Sequence, residues 1–224
     1  MTSEEIVLLT YYWRHNLPQE YMIHELGASS VTVVDWYSFA REVCEEVIIW
    51  NSVKIGEPGV EVEIDETKIG KRKYNRGRQV DGQWILGGRD TIERSKMFMV
   101  PVVDRTKETL VGLIEKWVEK GSIIVSDCWA SYRCLGAISY VHKPINYSET
   151  FKDPITEACT NHIELEWLHA QKSLPTYCCR HDHIRSHLAA HMWRLCVKEK
   201  GVNIFLEFLN AVRTVYNPET WKSI

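Results

Sequence analysis

The stretch VEVEID, residues 60–65, decides the fold of this chain because apolar and acidic residues alternate along it. Side chains on a β-strand point alternately to the two faces of a sheet, so Val60, Val62 and Ile64 predict a strand with one apolar face. The segment before it, residues 51–59 (NSVKIGEPG), contains two Gly and one Pro and indicates a linker. A sheet-forming region therefore begins near residue 60.

Strands and helices are predicted to follow this first strand in a mixed order. The strands are expected at 83–88, 96–103, 122–126 and near 140–143, and the helices at 107–120, 129–135 and 161–174. Three strands in succession, followed by alternating helix and strand, predict a mixed sheet covered by helices on both faces. That order is typical of the RNase H-like α/β fold.

Residues 1–50 are predicted to be helical. Ser3 is a candidate cap of the first helix, and Pro18 suits the first turn of the second. Gly27 ends that helix, and Ser29 or Ser30 caps a third. Two helices joined through a Gly-containing turn are typical of a helix-turn-helix that binds DNA. A plain three-helix packing unit is the alternative.

Composition limits the classes of partner and location. The chain has 224 residues, a net charge of −3 and a pI near 6.3, so any surface that attracts nucleic acid must be local. We expect no membrane partner, because no apolar run approaches the roughly 18 residues of a membrane helix. An odd count of seven Cys and an N-terminus without an apolar signal region predict an intracellular, unsecreted protein. It would be nuclear in a eukaryote and cytoplasmic otherwise.

Three carboxylates stand where the predicted elements begin or end. Asp65 lies inside or at the end of the first strand, Asp127 directly follows the apolar run SIIVS, and Glu164 lies near the start of the last helix of the sheet domain. Hard ions such as Mg²⁺ prefer oxygen ligands. Two such ions roughly 3.5–4 Å apart activate the attacking oxygen and stabilise the leaving oxygen when a phosphodiester is cut. The three residues are therefore a candidate two-metal site.

Each of these residues also has an ordinary structural interpretation. Asp65 is compatible with a solvated strand residue, and Glu66, on the opposite face, is its rival. Asp127 is compatible with a helix cap. Glu164 is compatible with a surface acid near a helix N-terminus, and Glu166 is its rival there. Strand and helix patterns leave these alternatives open.

Three segments in order resemble the Merlin superfamily of DDE transposases and their bacterial insertion-sequence relatives. The segments are VEIDETKIGKRKYNRGRQVDGQWILGG at 62–88, IIVSDCWASY at 123–132 and CTNHIELEWLHAQKSLP at 159–175. The likeness covers roughly residues 60–195, and residues 18–45 also resemble the helix-turn-helix that precedes the catalytic domain in animal members. The resemblance implies a DNA-binding segment at 1–50 and an RNase H-like DDE catalytic domain at 60–215.

The resemblance implies a function and a role for each acid. Asp65, Asp127 and Glu164 become the catalytic ligands of two Mg²⁺ or Mn²⁺ ions, since the family pattern Asn-x-Ile-Glu selects Glu164 over Glu166. The implied activity is cleavage of transposon ends and strand transfer into target DNA by a homo-oligomer bound to DNA. The alternatives are a domesticated or decayed copy that binds DNA without catalysis and an RNase H-like nuclease with other substrates.

The chain departs from the family pattern in three places. Gln171 stands where Lys is usual, seven residues after Glu164 and within about 20° of its helix face, whereas Lys172, eight residues after Glu164, lies about 80° away from that face. Cys159 stands where His is common. The chain also starts too late to carry the zinc ribbon that many relatives have upstream, so we expect recognition of terminal repeats to be weakened.

A basic segment follows Asp65 closely. Six positive charges fall within 11 residues without an acid among them, and they are Lys68, Lys71, Lys73, Arg72, Arg76 and Arg78. Beside the candidate metal site they are predicted to bind DNA phosphates and release counterions. Lys172 is predicted to reach DNA through its long stem. A solvated hairpin loop is the alternative for the basic segment.

Overall fold

The computed structural model describes residues 1–70, 82–127, 130–145, 161–174 and 181–217. Its backbone contacts divide the chain into a helical unit, residues 1–52 with 189–224, and a sheet unit, residues 53–188. The assignment of DNA binding to 1–50 and of catalysis to 60–215 stays a prediction. No helix in the described ranges is long and apolar enough to cross a bilayer.

The residues that the structure describes form seven α-helices and five strands, numbered in chain order. The helices are α1 (Ser3–Arg14), α2 (Gln19–Leu26), α3 (Ser30–Trp50), α4 (Lys107–Trp117), α5 (Asn161–Ser173), α6 (His181–Glu199) and α7 (Ile204–Val215). The strands are β1 (Glu61–Ile69), β2 (Gln83–Asp90), β3 (Met97–Val102), β4 (Ile123–Asp127) and β5 (Val141–Ile145). A 3₁₀ helix, Ala130–Ile138, follows β4, where the sequence predicted a weak helix.

The N-terminal helix begins with a reciprocal cap. Thr2, and not Ser3, is the cap residue: its hydroxyl accepts from the backbone N–H of Glu5 at 3.2 Å, and the Glu5 carboxylate accepts from the N–H of Thr2 at 2.7 Å. The prediction of Ser3 was wrong because the Thr-x-x-Glu box satisfies two N–H groups at once. Pro18 likewise stands at the cap of α2, one position before its first turn.

A shared apolar core holds the helical unit together. The ring of Trp13 from α1 lies 4.6 Å from that of Phe208 in α7 and 6.2 Å from that of Trp193 in α6. Arg194 donates to the carbonyls of Trp13 at 3.0 Å and Arg14 at 2.9 Å. Because the last carbonyls of a helix have no partner within the helix, this arginine satisfies the end of α1.

The sheet unit is built around one central strand. The strand order is β3-β2-β1-β4-β5, with β1 antiparallel to β2 and parallel to β4. Strand β5 is parallel to β4, and β3 is antiparallel to β2. The five-stranded mixed sheet flanked by helices confirms the RNase H-like fold class that the sequence predicted.

The two faces of β1 differ sharply in chemistry. Val62 and Ile64 are fully buried and pack with Leu110 and Ile114 of α4 in the main core. The alternate residues of β1 point to the opposite face, where α5 lies. Strand β1 therefore has one apolar face that stabilises the sheet and one polar face toward α5.

Helix α4 ends earlier than its amphipathic pattern predicted. It stops at Trp117, and Val118 adopts an extended backbone that forms a bridge with Ile55. Val118 is completely buried there. The helix predicted at 107–120 is therefore about one turn too long, because Val118 pairs with Ile55 instead of continuing the helix.

Candidate functional site

Two of the predicted carboxylates lie level on neighbouring strands. The parallel pairing of β1 and β4 places Glu63 opposite Val125. Continuing this register by two residues brings Asp127, the last residue of β4, beside Asp65 on the same face. Neighbouring strands lie roughly 5 Å apart. The sheet thus holds both acids side by side at the carboxyl end of β4.

The surroundings of Asp65 combine burial with negative charge. One oxygen accepts from the indole Nε1 of Trp167 at 3.0 Å, and the other accepts from the backbone N–H of Glu66 at 2.8 Å. Burial raises the pKa of Asp65 from 3.8 to about 6, these two hydrogen bonds oppose the rise, and Asp127 and Glu164 increase it. Asp127 and Glu164 therefore both lie within electrostatic reach of Asp65.

Because the pKa of Asp65 is raised, its ionised form lowers the free energy of unfolding. A folded-state pKa near 6 against 3.8 means that the folded chain holds the proton more tightly, so the free energy of unfolding falls as pH rises through this window. The cost is absent at low pH and complete above about pH 6. We expect Asp65→Asn, in chelator, to raise the free energy of unfolding by about 1–2 kcal/mol near neutral pH.

Denaturant titrations near pH 4 and near pH 7.5 check this expectation. A pKa raised from 3.8 to about 6 corresponds to about 3 kcal/mol. Asparagine offsets about 1 kcal/mol of this gain, because its single amide oxygen cannot replace both carboxylate oxygens as acceptors. The stabilisation should disappear at the acidic pH, where Asp65 is already neutral. Equal effects at both pH values would contradict the electrostatic origin.

The third acid, Glu164, differs in environment from its rival Glu166. Glu164 is exposed in the first turn of α5, whereas Glu166 is completely buried. The Glu166 carboxylate accepts from Arg94 at 2.8 and 2.9 Å and lies 3.6 Å from Arg89. Glu166 thus connects α5 to β2 and to the turn after it, while Glu164 is exposed and raises the pKa of Asp65.

Glu66, the alternative to Asp65 on β1, also forms an ion pair. The Glu66 side chain is 2% exposed and accepts from Arg105 at 2.7 Å. The guanidinium of Arg105 also lies 4.4 Å from the ring of Trp84. Burial raises the pKa of Glu66 to about 7, although Arg105 lowers it. Glu66 belongs to this ion pair, on the face of β1 that turns away from α5.

A glycine in β2 makes room for the indole that holds Asp65. Gly87 pairs with Asp65 across the strands, and a Cβ built on Gly87 would lie 2.5 Å from the Trp167 ring. The ring would have to move, which would break its hydrogen bond to Asp65. We expect Gly87→Ala to lower the free energy of unfolding by about 1–3 kcal/mol, as overpacking does.

Gly112 supplies the matched control for that glycine. It lies in α4, and nothing lies within 4 Å of a Cβ built there. Gly112→Ala should therefore raise stability by about 0.5–1 kcal/mol, since alanine favours a helix over glycine. Chemical denaturation of both variants checks the contrast. A Gly87→Ala variant as stable as the parent would mean that the indole tolerates displacement.

The donors of this group fit a hard divalent cation in chemistry. Asp65, Asp127 and Glu164 offer only oxygen atoms, which Mg²⁺ and Mn²⁺ prefer. In the part of the chain that the structure describes, no three acidic, His or Cys side chains are gathered closely enough to hold an ion as they stand. Carboxylates that lie close together repel one another, and a divalent cation bound between them would offset that repulsion.

The predicted DNA-binding residues are only partly described. Lys68 is exposed at the end of β1, with its ammonium 5.6 Å from the Trp84 ring, and Lys172 is exposed in the last turn of α5. The other five predicted contacts lie outside the described residues, and they are Lys71, Arg72, Lys73, Arg76 and Arg78. Cys159 also lies outside them. Gln171 contacts the hydroxyl of Thr67 at 3.4 Å.

A comparison with protein families gives the assignment. The profile described as the ISXO2-like transposase domain matches residues 58–195, more than half of the chain. The chain belongs to this transposase family. A search of curated proteins found no significant match. The domain is of the DDE type found in insertion sequences, a class that acts on DNA and generally uses divalent metal ions.

Several contacts of the transposase domain were not predicted from its sequence. Glu63, Arg94 and Trp167 fix α5 against the sheet, and Arg105 pairs with Glu66. The signal that could have pointed to Glu63 is its parity, because it shares the face of Asp65 on a strand whose other face is apolar. The arginines left no local signal, since their partners lie 39 and 72 residues away.

The charge of the N-terminal segment bears on its predicted role. Residues 1–50 carry eight acidic residues and only two basic ones, Arg14 and Arg41. Arg41 is 9% exposed, so it offers little charge to a partner. DNA phosphates attract positive surfaces and repel negative ones. The charge of this segment therefore gives no support to the helix-turn-helix assignment, which stays a prediction.

Proposed function

We propose that this transposase domain cuts DNA at transposon ends and joins the freed 3′-hydroxyl to target DNA, using Mg²⁺ or Mn²⁺. The observation that carries the proposal is the parallel register of β1 and β4, which leads Asp127 to the same face as Asp65, and the raised pKa of Asp65 agrees with it. Asp127 and Glu164, which are distant from Asp65 in sequence, thus both lie within electrostatic reach of it. The neighbouring acids Glu166 and Glu66 form ion pairs with Arg94 and Arg105.

The residues divide the work of the reaction. Asp65, Asp127 and Glu164 would hold two divalent ions, which supply activation of the attacking oxygen and stabilisation of the leaving oxygen when bound. Trp167 orients Asp65 through its indole N–H. Lys68 and the basic residues after it would bind the phosphate backbone beside the acids. We propose that the chain works as a homo-oligomer on paired DNA ends.

Incubation of the full chain with DNA ends tests this function. The substrate is a labelled duplex carrying inverted repeats from beside the gene, mixed with a plasmid target and either Mg²⁺ or Mn²⁺. We expect nicked ends with 3′-hydroxyls and covalently joined plasmid products, which disappear with chelator. A chain that cuts RNA–DNA hybrids but not the duplex would instead be a nuclease with another substrate.

A domesticated copy that binds DNA without catalysis is the second candidate. Gln171 favours it, because this neutral side chain lies against Thr67, two residues from Asp65, where the family usually has a Lys. A neutral amide offers no charge to a phosphate near the acids. Retarded mobility of the duplex without any cleaved or joined product would support this candidate against the enzyme.

A further inference from the structure

A second carboxylate on the polar face of β1 contacts the beginning of α5. Glu63 is 1% exposed, and its two oxygens accept from the His162 ring at 2.6 Å and from the backbone N–H of Ile163 at 2.8 Å. The first N–H groups of a helix have no partner within the helix. Glu63 supplies that partner from the neighbouring strand.

The contacts between β1 and α5 form an ordered series. Glu63 contacts Ile163, Asp65 contacts Trp167, and the third contact joins Thr67 to Gln171. Each step advances two residues along the strand and four along the helix. These steps are about 6.7 Å and about 6 Å long, so the two elements stay in register over all three contacts.

Burying the Glu63 carboxylate costs free energy, which raises the question of what its two hydrogen bonds provide in return. Moving a carboxylate out of water costs several kcal/mol, and apolar residues of similar volume often serve stability as well or better. A buried charge that accepts two hydrogen bonds from one helix turn sets the position of that turn. The next residue of the turn is Glu164.

We propose that Glu63 is a positioning residue for the metal-dependent reaction. By fixing the first turn of α5 to β1, it holds Glu164 at the correct height beside Asp65. This inference rests on the proposed function, and it assigns Glu63 no contact with substrate or metal. Residues that orient metal ligands typically affect metal affinity by about 10–100-fold.

Titration of Mn²⁺, followed by the electron paramagnetic resonance signal of the free ion, tests the role without DNA. We expect Glu63→Leu to bind Mn²⁺ about 10–100-fold more weakly than the parent while it remains folded and binds DNA equally well. Glu63→Gln keeps an oxygen for the Ile163 N–H and should stay within about threefold. Hydrogen exchange at the first turn of α5 should accelerate in Glu63→Leu alone.

Turnover separates positioning from a merely structural role. A positioning residue changes kcat with the KM for DNA unaltered, whereas a purely structural residue lowers the Tm and leaves the Mn²⁺ affinity of the folded fraction unchanged. If Glu63→Leu does not fold, Glu63→Asp replaces it, because its shorter side chain withdraws the carboxylate from Ile163. We expect it to weaken Mn²⁺ binding about 3–10-fold.

Two results would overturn the inference, and they differ. A parent that cuts DNA, together with a folded Glu63 variant of unchanged Mn²⁺ affinity and turnover, overturns the role of Glu63 alone. A parent that neither binds Mn²⁺ nor cuts DNA overturns the proposed function, and the role of Glu63 with it.

Discussion

Asp127→Asn is expected to abolish DNA cleavage and strand transfer, with a loss of about 10³-fold or more, while DNA binding persists. Metal ions contribute several kcal/mol to stabilising charge in the transition state, and each 1.36 kcal/mol is about tenfold in rate. Asp127 lies beside Asp65 at the end of β4 and raises its pKa. The neutral amide keeps the shape of the side chain but removes one anionic ligand.

Product formation with Mg²⁺ and Mn²⁺ measures the loss, and mobility shift of the labelled duplex measures binding. Glu108→Gln is the matched control, because Glu108 is an exposed acid in the first turn of α4. It removes one negative charge from the same unit and should leave activity within about twofold, as surface substitutions usually do. An Asp127→Asn variant with parental activity would remove Asp127 from the reaction.

The fold of the sheet unit was predictable because its patterns are local. Alternation at 60–65 and the apolar run at 122–126 indicated strands β1 and β4, and the order of elements indicated the mixed sheet. The boundaries that went wrong depend on distant contacts. Helix α4 stops before Val118 because that residue pairs with Ile55, and no pattern within α4 signals this partner.

The candidate site was predictable in residue type but not in orientation. Strand periodicity gives Asp65 and Glu66 opposite faces without saying which face meets α5. The structure shows Asp65 accepting from Trp167 of α5 and Glu66 accepting from Arg105. Which of the two residues faces α5 depends on tertiary partners. From the sequence alone, only the resemblance to DDE transposases favoured Asp65 over Glu66.

Substitution of the two glutamates of α5 by alanine should separate stability from activity, because Glu166 is a buried ion-pair partner and Glu164 is an exposed acid. We expect Glu166→Ala to lower the free energy of unfolding by about 3–5 kcal/mol, because removing one partner of a buried ion pair strands the other charge. Arg89 is 7% exposed and lies 3.6 Å from Glu166, so it would lose its counter-ion in a poorly hydrated place. Chemical denaturation of the apo protein measures the loss.

Glu164→Ala is the control for that variant within the same helix. Glu164 is exposed, and it raises the pKa of Asp65, so its removal relieves repulsion and offsets the lost charge at the helix N-terminus. Its stability should change by less than about 1 kcal/mol, while cleavage and strand transfer fall as far as in Asp127→Asn. If Glu166→Ala were stable and inactive while Glu164→Ala stayed active, the two glutamates would exchange roles, and Glu166 would be the third acid of the site.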